Sequence, residues 1–156
     1  MPRTKTDTEF MEASKHLYYE IWMLNKIALM ANPMKDQFDK NLLIETFCLH
    51  MRNLIKFFYD ENLSNDDIIA HNFVFSVENW LKNRPVETKL LIAANARADK
   101  EVMHLTDKRI NEPFQKSDWE FREIHKQLTE IIKVFYRFVP DQKLCAEMIE
   151  LRNSYR

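Results

Sequence analysis

An arginine and a histidine past the middle of the chain are the residues best suited to chemistry. Arg97 and His104 lie seven positions apart in the stretch ARADKEVMHLTDKRI. On a regular helix this spacing places both on one face, about 10.5 Å apart along the axis. An imidazole that titrates near neutral pH can act as a general base, and a guanidinium can stabilise the negative charge of a phosphorane. The two residue types therefore suit metal-independent cleavage of RNA, in which the ribose hydroxyl attacks the phosphorus.

A plainer interpretation applies to the same residues. Arg97 and Glu101 have the i,i+4 spacing of a solvated ion pair, which adds only a few tenths of a kcal/mol, and Lys108 continues the charged row. Glu101 can then neutralise the neighbouring cations. A symmetric dimer would bring two copies of this face into one groove and would overcome the distance between the arginine and the histidine.

A second polar group interrupts the most apolar stretch of the chain, 39–62, DKNLLIETFCLHMRNLIKFFYDEN. We predict that this stretch is the central helix of a bundle, capped by Asp36 or Asp39. The centre of its apolar face is predicted to contain Leu43, Phe47, Met51, Leu54 and Phe58.

His50 lies at one edge of this apolar face with Asn53 nearby, whereas Arg52 lies about 160° from His50. The two basic groups therefore cannot act on one small atom from this helix alone. In the plainer interpretation, His50 bonds a neighbouring carbonyl and Arg52 belongs to a solvated edge with Glu45 or Lys56.

The same periodicity predicts the other elements of an all-α, up-and-down four-helix bundle in a single domain, 1–156. We expect the first helix to start after Asp7 or Thr8 and to run to Ala31, where Asn32-Pro33 stops it. The third helix is predicted from Pro85 to Ile110, and its buried residues are Leu91, Ala94, Ala98, Val102 and Leu105. The fourth helix is capped by Ser117 and Glu120 and stops at Pro140, and a short fifth helix is capped by Asp141 and frays from Asn153 to Arg156. Residues 63–85 are predicted to be a helical connector, started by Ser64, Asn65 or Asp66, which folds Phe73, Phe75 and Trp80 onto the bundle.

Composition narrows the class of protein. Of the 156 residues, 46% are hydrophobic and 30% charged, which is typical of a soluble globular domain. The chain has no glycine, which favours long helices and excludes the glycine-rich phosphate-binding loops of nucleotide-binding enzymes. A net charge of −1 provides no global attraction to nucleic acid or to a membrane.

The cysteines and the N-terminus indicate the compartment. Cys48 and Cys145 lie in apolar helical runs, so we predict buried free thiols. The N-terminal MPRTKTDTEF lacks the apolar segment of a signal peptide, and no run of 18 apolar residues exists. We therefore expect a cytoplasmic protein that does not enter membranes.

Metal-binding chemistries fit the sequence poorly. Glu101 and His104 form one Glu-x-x-His motif, but a di-iron bundle needs two such motifs and two further glutamates. His16 and Glu20 have helical spacing without a third ligand in register, and we interpret them as a surface ion pair. No metal ligand set and no cofactor is predicted.

The motif Arg97-x6-His104 is similar to the R-x4-6-H motif of the HEPN superfamily (higher eukaryote and prokaryote nucleotide-binding), whose members are small helical bundles in bacterial toxin and defence systems. The stretches HMRNLIKFFY at 50–59 and ARADKEVMHLTDKRI at 96–110 also resemble an uncharacterised bacterial family of this type. The likeness spans residues 40–138, including Trp80 and Arg84-Pro85.

This resemblance implies a homodimer formed through the helix that bears the motif, and RNA or a nucleotide as the ligand. It implies metal-independent endoribonuclease activity with Arg97 and His104 as the catalytic pair, supported by His50, Asn53 and Arg109. A cognate antitoxin-type partner is a further implication. The alternative is a non-enzymatic binding or dimerisation module, in which the polar residues of the helices fix packing and partner choice.

Overall fold

The computed structural model describes residues 5–30, 36–61, 67–104, 106–110 and 119–155, with only the backbone of Lys108 and Arg109. Within these ranges the chain is all-α, as predicted, and contains no β-strand. Its α-helices are α1 (Asp7–Met30), α2 (Gln37–Tyr59), α3 (Ala70–Phe73), α4 (Val77–Asn83), α5 (Lys89–Ala98), α6 (Phe121–Phe135) and α7 (Ala146–Ser154). A π-helical turn at Asp99–Met103 continues α5, and 3₁₀ turns lie at Asp107–Ile110 and Asp141–Lys143.

Some predictions fall outside the described residues and have no structural counterpart here. They concern Ala31, the stop at Asn32-Pro33, the helix starters Ser64, Asn65 and Asp66, Leu105, Ser117, Arg156, and the side chains of Lys108 and Arg109.

Side-chain caps set the starts of the long helices. The Thr6 hydroxyl accepts a hydrogen bond from the Glu9 N–H at 3.3 Å, and Glu9 Oε2 accepts one from the Thr6 N–H at 2.8 Å. This capping box begins α1 at Asp7, slightly earlier than predicted. At the start of α2, Asp36 Oδ1 accepts from the Asp39 N–H at 2.9 Å, which confirms one of the two predicted caps.

The helices α1, α2, α5 and α6 enclose one core, with α2 in contact with the other three. The predicted apolar face of α2 is confirmed: Phe47, Met51, Leu54 and Phe58 are buried, and Leu43 is partly buried. Cys48 and Cys145 are buried free thiols, as predicted. The α2 helix is therefore the central element of the bundle.

The connector folds two of its three aromatic rings into the core. Phe73 and Trp80 are buried, with ring centroids 6.2 Å and 5.7 Å from that of Phe135. The prediction is wrong for Phe75, which is 64% exposed. Its ring contacts Phe138 at 5.9 Å at the break between α3 and α4.

The predicted third helix from Pro85 to Ile110 is wrong at both ends. The helix α5 begins at Lys89 because the Thr88 hydroxyl accepts from the Leu91 N–H at 3.2 Å. Regular α-helix ends at Ala98, and the π-helical turn follows. In an α-helix the Lys100 carbonyl would accept from the N–H of residue 104, but here the Thr106 hydroxyl donates to it at 3.1 Å.

His104 itself has extended backbone angles, φ −127° and ψ 146°. Arg97 and His104 therefore do not lie on one regular helix, and the distance expected from a helical wheel does not apply. The buried stripe of this region is confirmed for Leu91, Ala94 and Ala98, and Val102 is partly buried.

The last two helices also differ from prediction at their ends. The α6 helix stops at Phe135, and a turn then leads to Pro140. Asp141 does not cap α7 but begins a 3₁₀ turn and pairs with Arg152 at 2.6 Å. The predicted fraying from Asn153 is wrong, because α7 continues to Ser154 and the Tyr155 ring packs 6.2 Å from Tyr136.

Candidate functional site: a guanidinium and an imidazole on one carboxylate

The carboxylate of Asp99 draws together cations from two parts of the chain. Arg52 Nη2 donates to Asp99 Oδ1 at 3.0 Å, and His104 Nε2 lies 3.4 Å from the same oxygen. Lys100 Nζ lies 3.9 Å from Asp99 Oδ2. We call Arg52, Asp99, Lys100 and His104 the Asp99 cluster. The α2 helix supplies the arginine, and the π-helical turn with the residue after it supplies the rest.

The Asp99 cluster is open to solvent and carries more positive than negative charge. The His104 side chain is 64% exposed, and those of Arg52 and Asp99 are about one-third exposed. Arg52 and Lys100 carry one positive charge each and Asp99 carries one negative charge, so these three side chains together have a net positive charge. Such an arrangement attracts an anion, although the charge of the whole chain is −1.

The partner predicted for Arg52 is wrong, because Arg52 pairs with Asp99 and not with Glu45. Arg52 and His104 are 52 positions apart in the sequence and were predicted to have different neighbours. The sequence carries no signal for Asp99, since a wheel drawn through α5 and beyond does not place Asp99 beside His104. Only the packing of α5 on α2 and the change of helical register bring these groups together.

The Arg97 side chain is engaged elsewhere. Its Nε donates to both carboxylate oxygens of Glu101 at 2.8 Å, which confirms the predicted i,i+4 pair. Its guanidinium carbon also lies 4.2 Å from the ring centroid of Trp119, a cation–π contact that the sequence did not suggest. Arg97 therefore bonds Glu101, whereas His104 lies beside Asp99.

A second polar group lies between α1 and α2. His50 is only 3% exposed, and its Nδ1 lies 2.6 Å from Glu20 Oε2. Because an ionised carboxylate only accepts hydrogen bonds, we assign the proton to Nδ1. Asn53 Nδ2 donates to the same oxygen at 3.1 Å, and the Tyr19 ring meets the imidazole edge-on at 5.6 Å.

Two sequence interpretations of this region are wrong. His50 bonds the carboxylate of Glu20 and not a neighbouring carbonyl, and Glu20 faces His50 and Asn53 and does not form the expected surface pair with His16. The physical reason is that the close packing of α1 on α2 turns both polar edges inward.

Two clefts flank this part of α2. One, of about 360 Å³, lies between α1, α2 and the segment 67–73, and Glu20 and Asn53 line it. The other, of about 490 Å³, lies between α2 and α5, and Arg52 connects it to the Asp99 cluster. In the second cleft, burial raises the pKa of Tyr59 to about 12 and raises the pKa of Glu87 above its usual range.

Within the described ranges, no group of three or more His, Cys, Asp or Glu side chains is placed to hold a metal ion. None of the helices in the same ranges combines the length and the apolar character needed to span a membrane. Comparison with known proteins found no family model, no curated protein and no solved structure that matches this chain.

Proposed function

We propose that the protein is a HEPN-like, metal-independent endoribonuclease that acts on RNA at the Asp99 cluster. The observation that carries the proposal is that Arg52 and His104 meet on one carboxylate, at 3.0 Å and 3.4 Å. Cleavage of RNA without a metal needs a general base and a cation close together, and an imidazole and a guanidinium can supply these two roles. We also propose a cytoplasmic location for this activity.

In the proposed reaction, His104 takes the proton of the ribose 2′-hydroxyl. Asp99 orients the imidazole and stabilises its protonated form, as the third member of a catalytic triad does. The 2′-oxygen then attacks phosphorus, the bond to the 5′-oxygen breaks, and water protonates the leaving oxygen. The products are a 2′,3′-cyclic phosphate and a 5′-hydroxyl. Arg52 and Lys100 stabilise the charge that develops on the phosphorane oxygens.

The proposal changes the role of one residue of the motif. Arg97, which the resemblance pairs with His104, bonds Glu101 and lies on Trp119. Arg52 therefore takes the role of the cation that contacts phosphate, and Arg97 positions the turn that carries Asp99 and His104.

The test is cleavage of a fluorescent single-stranded RNA by purified protein in the presence of a chelator. We expect wild type to cleave and His104→Ala to be slower by about 10²-fold or more. Arg52→Ala should also cleave slowly, whereas His16→Ala, an exposed imidazole on α1, should match wild type. A substrate with deoxyribose at the cleavage position should resist. Equal, background-level cleavage by wild type and His104→Ala would exclude the nuclease.

The alternative is a non-enzymatic module that binds RNA, a nucleotide or a protein, as a homodimer or with an antitoxin-type partner. Its supporting observation is that the arginine of the motif, Arg97, bonds Glu101 and lies on Trp119, which is a structural role. It predicts RNA binding without cleavage, weakened by Arg52→Ala and by salt. Sedimentation equilibrium of the wild type would establish whether it dimerises.

A further inference from the structure

The cleft between α1, α2 and the segment 67–73 has the size and walls of a small-molecule site. Its volume of about 360 Å³ falls within the range typical of such sites, about 300–1,000 Å³. Its apolar lining includes Leu17, Leu54, Phe57, Ile68 and Phe73. No member of the Asp99 cluster belongs to its described lining.

One carboxylate is fixed in position at this cleft. Glu20 Oε2 accepts hydrogen bonds from His50 Nδ1 at 2.6 Å and from Asn53 Nδ2 at 3.1 Å. Both donors belong to α2, and His50 is buried, so they hold the carboxylate from one side. A carboxylate has about four lone-pair positions. Two donors therefore leave Glu20, whose side chain is 23% exposed, with capacity to accept from a ligand.

The charge of the cleft favours a cation. Its acidic residues are Glu20 and Asp67, and Lys56, its one lysine among the described lining residues, pairs with Asp67 at 3.3 Å. Because the Lys56–Asp67 pair has no net charge, the carboxylate of Glu20 leaves these acidic and lysine side chains with one negative charge. This charge repels a phosphate and attracts an ammonium group.

We propose that this cleft binds a small organic amine, with its ammonium on Glu20 and its apolar body against Phe57 and Ile68. The ammonium donates to a carboxylate that is already oriented, so little ordering is needed on binding. The apolar body packs against the partly exposed Phe57 and Ile68, because Leu17, Leu54 and Phe73 behind them are already buried in the core. This inference does not depend on RNA cleavage at the Asp99 cluster.

The test uses 2-phenylethylammonium as the probe and 2-phenylethanol as its neutral match, titrated into ¹⁵N-labelled full-length protein. We expect saturable binding of the amine, with amide shifts concentrated in residues 13–20, 53–57 and 67–73. The alcohol should bind at least about tenfold more weakly, since a hydrogen bond to a charged group is lost. Glu20→Gln should reduce the affinity for the amine by a similar factor. Glu12→Gln, which removes an exposed charge from the same helix, should leave its affinity unchanged.

A second variant covers the case in which Glu20→Gln loses its fold. Ala13→Phe leaves the Glu20 carboxylate in place and fills part of the cleft, and it should abolish amine binding. His104→Ala should bind the amine as wild type does, which separates this inference from the nuclease. Equal affinities for amine and alcohol, shifts outside these ranges, or the absence of saturable binding would each overturn the proposal.

Discussion

His50 of α2 and Glu20 of α1 are joined inside the bundle, with 2.6 Å between Nδ1 and Oε2. The imidazole is buried, and the carboxylate extends to the edge of a cleft. The pair therefore connects the two longest helices with a directional contact, which Asn53 of α2 reinforces by donating to the same oxygen at 3.1 Å.

Replacing His50 by alanine should lower the free energy of unfolding by about 2–3 kcal/mol. The change leaves Glu20 without its shorter hydrogen bond, and a hydrogen bond to a charged group contributes about 1.5–3 kcal/mol. The measurement is urea denaturation followed by circular dichroism. His16→Ala, an exposed imidazole on α1, should change the stability by less than about 0.5 kcal/mol. Similar losses in both variants would contradict a structural role for the pair.

Ser14 should prove important for the attachment of the C-terminal helix. It is fully buried, its hydroxyl accepts from the Cys145 N–H at 2.7 Å, and it donates to the Met11 carbonyl at 2.7 Å. Ser14→Ala leaves a buried N–H without its partner, which should cost about 1–3 kcal/mol. Thermal and urea denaturation measure the loss. Ser154→Ala, an exposed hydroxyl at the end of α7, is the matched control and should be nearly neutral.

The free energy of unfolding should fall as the pH drops below the ordinary pKa of histidine. Burial lowers the pKa of His125, whose Nε2 lies 2.6 Å from Asn25 Oδ1. The unfolded chain takes up a proton near the ordinary pKa of 6.5, whereas the folded protein does so only at lower pH. The stabilisation is therefore complete above pH 6.5 and is lost as the pH falls toward the folded pKa.

Urea denaturation at about pH 7 and about pH 5 measures this dependence. His125→Gln should reduce the slope of stability against pH. The pKa of His71 is also lowered by burial, with a contribution from Arg84. The double variant His71→Gln/His125→Gln should therefore have the flattest profile. An unchanged slope in the double variant would show that these histidines do not titrate differently on folding.

The stacking of Arg97 on Trp119 should distinguish arginine from lysine at this position. Lysine keeps the charge near Glu101 but lacks the planar group that lies 4.2 Å from the indole centroid. Arg97→Lys should reduce stability by about 0.5–1 kcal/mol and change the tryptophan fluorescence. Arg122→Lys, at an exposed position on α6, should do neither. If Arg97→Lys matches wild type in both measurements, the contact contributes nothing.

Much of the fold follows from local patterns in the sequence. Regular spacing of apolar residues located the buried faces of α2 and α5, and Asp36 was one of the two predicted caps of α2. The Arg97–Glu101 pair was also predictable, because its partners are one helical turn apart. Contacts of this kind depend on neighbours in the chain, so a helical wheel represents them well.

The candidate site was predictable only in part. His104, Arg52, His50 and Asn53 were recognised as polar residues in unusual positions, but Asp99 and Glu20, which organise them, were not. Asp99 joins residues from α2 and from beyond α5, and the π-helical turn invalidates a wheel drawn across it. Glu20 was assigned to its neighbour His16, because the sequence gives no measure of how α1 and α2 rotate against each other.

The π-helical turn at Asp99–Met103 has a consequence for the evolution of this region. Its hydrogen bonds run from residue i to residue i+5, so it holds one residue more than an α-helical turn of the same kind. Loss of a single codon there would restore a plain helix, rotate His104 to another side and separate it from Asp99. We therefore expect the deletion of one residue from these five positions to reduce the proposed RNA cleavage as strongly as a substitution of His104 does.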